Sequence, residues 1–101
     1  SRQDGQIKHM GYRIELGEIE TALNSLAELQ QVACLFDEER DRIHCAYTGS
    51  TDSQAVAKAA RELLPKYMLP NLYHQLETMP MNPNGKIDRP RLRKELLHGA
   101  D

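Results

Sequence analysis

Apolar residues recur along this chain at two periods, and the changes of period mark its elements. Ile7 and Met10 precede Gly11, and Ile14 and Leu16 follow it. That pattern predicts a short hairpin over residues 4–16 at the edge of the fold, with Gly11 as the turn residue because glycine reaches positive φ freely. Ile19, Ala22, Leu23 and Leu26 then fall at i, i+3, i+4 and i+7, one face of a helix over 17–28. Glu18 and Glu20 stand in its first turn, where the helix dipole favours negative charge. On either side of the charged run DEERD, Val32, Cys34 and Phe36 alternate, as do Ile43, Cys45 and Tyr47. These are two strands of a hairpin, 30–37 and 42–48, with Cys34 roughly opposite Cys45.

Ala55, Val56, Ala59, Ala60, Leu63 and Leu64 make the stripe of a second helix over about 53–64, capped by Thr51, Asp52 or Ser53 and stopped by Pro65. Pro65 and Pro70 fix a bent connection to a third strand over 71–78, in which Leu72, His74 and Leu76 alternate. A last helix over about 89–98 turns Leu92, Leu96 and Leu97 inward and Arg91, Arg93, Lys94 and Glu95 outward as a solvated face. The expected fold is α+β: a small antiparallel three-stranded sheet with helices packed on it, plus a short N-terminal β-hairpin.

One hundred and one residues make one domain. The balance of 13 basic against 15 acidic residues, a net charge of −2, argues against a nucleic-acid binder. No apolar run reaches the roughly 20 residues of a membrane span, and the polar, charged start carries no signal-peptide pattern. Cytoplasm is the expected compartment. Two cysteines are too few for a disulfide scaffold or a four-thiolate zinc site, and four histidines are scattered without metal-ligand spacing. Cys34 and Cys45 read as buried small hydrophobes rather than a redox pair.

Chemistry concentrates in one stretch, MNPNGKID, from Met81 to Asp88. Asn84-Gly85 is a strong tight-turn dipeptide, and a type I′ turn, with positive φ at both central residues, is the expected form. Lys86 follows directly, and Asp88 is placed to cap the last helix. The stretch therefore holds a lysine out on a loop between a strand and a helix. Its head is a compact charge with three donors, suited to phosphate or carboxylate oxygen. No nucleophile–base pair, HExxH or P-loop is present, and the carboxylates at Glu15, Glu18, Glu20 and 37–41 show no partner pattern beyond caps and loops.

Two longer stretches carry a resemblance. RQDGQIKHMGYRIELGEIE, Arg2 to Glu20, resembles the eighth core motif of adenylate-forming enzymes, and PMNPNGKIDRPRL, Pro80 to Leu92, resembles the tenth. LPKYMLP, Leu64 to Pro70, matches the segment between them. Together the two motifs cover about a third of the chain, in the right order and at the right separation. The resemblance implies that residues 1–101 are the small C-terminal (lid) subdomain of an AMP-forming ligase, whose N-terminal subdomain lies outside this chain. RIELGEIE with NGKID is similar to amino-acid-activating members, the adenylation domains of nonribosomal peptide synthetases and D-alanine–carrier protein ligases. Acyl-CoA synthetases more often have Ser-Gly-Lys or Thr-Gly-Lys without the Asp. An acyl-CoA synthetase lid and a non-catalytic carrier-protein-binding module are the alternatives.

The family's roles map onto matching positions. Lys86 matches the adenylation lysine, which would bridge the substrate carboxylate and the α-phosphate of ATP. Arg2 matches an arginine that contacts the ribose, and Arg13 a position that meets phosphate in some members. Asp4 matches the hinge. Gly11 matches the loop lining the tunnel for the phosphopantetheine thiol of a carrier protein, and Lys8 a motif lysine of structural role. Asn84 and Gly85 shape the Lys86 loop. ATP with Mg2+ would be bound mainly by the N-terminal subdomain, so the isolated chain is expected to be inactive. Ser1 stands where the family usually has Gly.

Overall fold

The computed structural model describes residues 5–97. Their elements run β1 (Gln6–His9), β2 (Tyr12–Glu15), α1 (Leu16–Asn24), β3 (Leu29–Asp37), β4 (Arg42–Gly49), α2 (Ser53–Leu63), a 3₁₀ turn (Lys66–Met68), β5 (Leu72–Leu76) and α3 (Arg89–Leu97). The α+β class, the order of elements and the three-stranded sheet all match the sequence reading.

β1 and β2 form a separate antiparallel ribbon, and the main sheet has the order β3-β4-β5. β3 and β4 pair antiparallel, with Cys34 opposite Cys45. β4 and β5 pair parallel, His44 beside Leu72 through Thr48 beside Leu76. The sheet is thus mixed, not wholly antiparallel. The cause is the length of the connection: residues 50–71 hold a helix and a 3₁₀ turn, enough chain to cross over and re-enter in the same direction.

The sheet is covered on both faces. Val32, Cys34, Phe36, Ile43, Cys45 and Tyr47 point to one face and meet Ile14 and Leu16, Ile19 and Leu23 of α1, and Val56 and Ala60 of α2. Ala33, Leu35 and Ala46 point to the other and meet Met79 and Leu92, with Leu76, Ile87 and Leu96 partly buried around them. Both cysteines are free thiols inside this core, as their alternation with apolar neighbours implied.

α1 differs from its predicted length, and α2 from its predicted buried stripe. α1 stops at Asn24 rather than near residue 28: the Ser25 hydroxyl bonds the Ala22 carbonyl, and Ser25, Leu26 and Leu29 donate to carbonyls three residues back. Asn and Ser offer the backbone such local alternatives, and the last turn tightens and ends. Leu26 still packs against the core from the turn. α2 is capped by Asp52, which accepts from the Ala55 N–H. Its buried residues are Val56 and Ala60, while Leu63, expected inward, is 43% exposed. The chain leaves the helix at Leu64, whose backbone is extended; Leu64 rather than Leu63 then turns onto the core.

Candidate functional site

The segment after β5 is pinned before it projects. Met79 is buried, Met81 bridges Ile87, and the Asp88 N–H bonds the Pro80 carbonyl at 2.8 Å. Between these anchors the Asn82 N–H bonds the Lys86 carbonyl at 2.7 Å, and the Gly85 N–H bonds the Asn82 carbonyl at 3.0 Å. Gly85 has φ of 81°, but Asn84 is not in the left-handed region. The expected type I′ turn is therefore replaced by a three-residue loop: a type I turn with Pro83 at its first central position, closed by Gly85 as a bulge. Pro83 decides this, because its ring fixes negative φ one residue before Asn84. The Asn82 side chain completes the loop, accepting from the Asn84 N–H at 2.8 Å and the Lys86 N–H at 3.1 Å.

Lys86 emerges from this loop fully on the outside, while Ile87 turns into the core below it. Its ammonium has no hydrogen bond or ion pair among the described residues. Two surface troughs, of about 1050 and 720 Å³, are lined by other residues. An exposed lysine on a turn, with no partner among the described residues, is poorly placed to bind a ligand alone. It can add a cation to a ligand held by something else. Asp88 caps the following helix as expected, accepting from the Arg91 N–H.

The hairpin supplies the second feature. Met10 and Gly11 have φ of 54° and 82°, so the two-residue I′ turn of this protein lies here. Arg13 and Lys8 sit opposite each other across the ribbon, both exposed. The ribbon is clamped to the body on both sides. Buried His9 bonds Asp41 at 2.8 Å and meets Phe36 edge-on, and Tyr12 stacks on Tyr67 at 4.1 Å. Beside it lies the larger trough, lined by Lys8, Met10, Gly11, Arg13, Phe36 and Glu38 among others.

Lys86, Asn84 and Gly85 thus stand together, as do Gly11 and Arg13, but the two groups are apart. The ribbon joins the core on the α1–α2 face through Ile7 and Ile14, and the Lys86 loop joins it on the α3 face through Met79 and Ile87. Arg13 and Lys86 accordingly start from opposite sides of the sheet. Arg2 and Asp4 lie outside the described residues. Among the described residues no cluster of three or more His, Cys, Asp or Glu could hold a metal ion, and no helix is long and apolar enough to cross a membrane.

Besides His9 with Asp41, three further polar groupings went unread in the sequence. Glu20 pairs with Arg89 through two bonds, 2.8 and 3.0 Å, and also accepts the Cys34 N–H at 2.8 Å. This fork holds the Arg89 guanidinium still more firmly protonated than usual. The Arg93 guanidinium donates to the Phe36 carbonyl at 2.7 Å, so it is not merely solvated. His44 and His74 stand 2.9 Å apart, nitrogen to nitrogen, across the parallel β4–β5 seam. Each needs a pairing between distant segments, and only the 3.6-residue phase of Glu20, beside Ile19 yet off its stripe, hinted that one would face a neighbour.

No family model matches the chain. Gramicidin S synthase 2 of Brevibacillus brevis is 40% identical over 96 residues, which cover 90% of this chain and 2% of that protein. Among solved structures, Klebsiella oxytoca NpsA in complex with 3-hydroxyanthranilyl-AMSN superposes with a TM-score of 0.86 at 28% identity, over 96% of this chain and 20% of that one. Holo-AB3403, a four-domain nonribosomal peptide synthetase bound to AMP and glycine, gives a TM-score of 0.73 at 34% identity, over 89% of this chain and 7% of that one. The chain therefore spans a small part of each of these proteins.

Proposed function

Because this chain is a C-terminal subdomain of the adenylate-forming enzyme family, we propose that it serves as the mobile lid of an ATP-dependent, AMP-forming amino-acid ligase. In the first half-reaction a carboxylate oxygen of the amino acid attacks the α-phosphorus of ATP, and the bond to pyrophosphate breaks. Lys86 supplies its ammonium to the substrate carboxylate and the α-phosphate oxygen as negative charge gathers on the transferring group. Such stabilisation depends on a donor fixed in advance and shielded from water. In the second half-reaction the phosphopantetheine thiol of a carrier protein attacks the acyl carbonyl and AMP leaves. The ribbon, with Gly11 at its turn, then faces the site, and Asp4 is the hinge of the swing between the two poses. Arg2 and Arg13 contact the nucleotide. ATP with its Mg2+ and the amino acid are held by the N-terminal subdomain, and the lid alone does not turn over.

The observation that carries this reading is the exposed Lys86 on its loop, a charge with no hydrogen bond or ion pair among the described residues. Amino acid rather than fatty acid is favoured by the Asn-Gly-Lys-Ile-Asp motif and by the peptide synthases among the relatives. The test is Lys86→Ala in the full-length protein. ATP–pyrophosphate exchange is expected to fall at least 100-fold, the scale of losing one preorganised donor. Thioester formation from supplied adenylate is expected to stay near wild type. Exchange at the wild-type rate would remove the assignment.

A further inference from the structure

We propose that Glu20 and Arg89 are a pair of positioning residues that aim the Lys86 loop during adenylate formation. The inference rests on the reading of Lys86 given above, and its test separates the two.

Arg89 is the first residue of α3 and stands three positions after Lys86. The junction between them is stiff. The Asp88 N–H is bonded to Pro80 on the far arm of the loop, and the Asp88 carboxylate caps α3 through the Arg91 N–H. A rotation of the first turn of α3 therefore carries the loop with it.

Apolar packing fixes that rotation only weakly. α3 has nine residues, of which Leu92 is fully buried and Leu96, one turn on, partly so. So small an apolar seat resists a roll of the helix about its axis only in part. Two polar tethers prevent the roll, and both reach β3 or its neighbour α1. Arg93 donates to the Phe36 carbonyl at 2.7 Å, and Arg89, one turn earlier, forks onto Glu20 at 2.8 and 3.0 Å. Glu20 is itself fixed from both ends. It belongs to α1, whose Ile19 and Leu23 are fully buried, and it accepts the Cys34 N–H on the outer edge of β3. The direction of the exposed lysine is thus referred, through Arg89, to the most deeply buried part of the domain.

A bidentate fork constrains orientation as well as distance, and a misplacement of about 1 Å at a reacting centre can cost up to about 100-fold in rate. Glu20→Gln keeps an oxygen for the Cys34 N–H and removes the charge that answers Arg89. Arg89→Lys keeps the cation and removes the fork; Arg89→Met removes both.

In the full-length protein, Glu20→Gln and Arg89→Met are each expected to lower kcat of ATP–pyrophosphate exchange about tenfold. KM for ATP should stay within about twofold, and thioester formation from supplied adenylate should be unchanged, a split that general loosening of the fold would not give. The double variant should lose no more than either single one, and Arg89→Lys should fall between wild type and Arg89→Met. Wild-type exchange in Glu20→Gln and Arg89→Lys overturns the inference, as do equal losses in both half-reactions or losses that multiply in the double variant. If Arg89→Met does not fold, the two milder variants decide. Lys86→Ala, run alongside, tests the reading beneath: full exchange in that variant overturns the assignment of Lys86 itself, whatever Glu20 and Arg89 do.

Discussion

Asn82 and Asn84 flank Pro83, and they exchange the roles that the dipeptide Asn84-Gly85 suggests. A local rule reads Asn-Gly as two residues at positive φ, but Asn84 stays out of that region, so its identity adds little to the backbone. Asn82 instead satisfies two N–H groups of the loop with its side-chain oxygen. Asn84→Ala should therefore leave the urea midpoint within error, whereas Asn82→Ala should cost on the order of 1 kcal/mol, the scale of one or two exposed hydrogen bonds. Asn82→Ala should also slow pyrophosphate exchange in the full-length protein. Equal effects of the two substitutions would mean that the loop is shaped by Asn84 after all. At this scale the sequence displayed the lysine, the glycine and the Asp88 cap, because each depends on neighbours within four positions. It hid Glu20 with Arg89, which lie 69 positions apart.

Among the elements, the seam between β4 and β5 is where local reading fell short, and it is also where pH should act. Alternation located β5 but says nothing of its direction, which the crossover through α2 determines. The parallel register brings His44 against His74. Burial holds both imidazoles below their usual pKa, and for His44 the His74 ring adds to the effect; Arg42 and Arg93 push His44 the same way and Asp37 opposes. A histidine with a depressed folded pKa is neutral in the fold but takes a proton readily when unfolded. Its stabilising contribution is complete above the unfolded value near 6.5 and is lost as pH falls below it. Urea unfolding of the chain should thus show lower stability at pH 5.5 than at pH 7.5, and the double variant His44→Gln/His74→Gln should flatten that difference. An unchanged pH dependence in the double variant would place its origin elsewhere. α1 and α2 teach the complementary lesson. The end of α2 before Pro65 was plain in the sequence, but Leu63 left its stripe because the chain turns at the extended Leu64; the end of α1 was not plain, because Ser25 decides it by local hydrogen bonding.

The whole molecule is a sheet covered on two sides, with the ribbon attached to one side and the Lys86 loop to the other. The ribbon is not free to flap across, since His9 with Asp41 and Tyr12 with Tyr67 clamp it to the body. On the proposed lid function, bringing both features to one acyl group means moving the body as a unit. Rotation about a short link to a second lobe does this without breaking either cluster of the core. Asp4, matched to the hinge by its place in the Arg2–Glu20 motif, immediately precedes the described residues, and Leu16 donates to the Gly5 carbonyl at 2.7 Å where the ribbon begins. That bond ties Gly5 to the body of the domain. Proline at position 4 would hold φ near −65° and restrict the residue before it. In the full-length protein Asp4→Pro should leave pyrophosphate exchange within about threefold of wild type, because the loop can still be presented from one fixed pose. If Asp4 is the pivot proposed above, thioester formation should fall by about tenfold or more, since the second pose would then need a backbone change the ring resists. If both half-reactions fell together, the pivot would lie elsewhere in the link, and the opposed placement of ribbon and loop would need another route to a shared substrate.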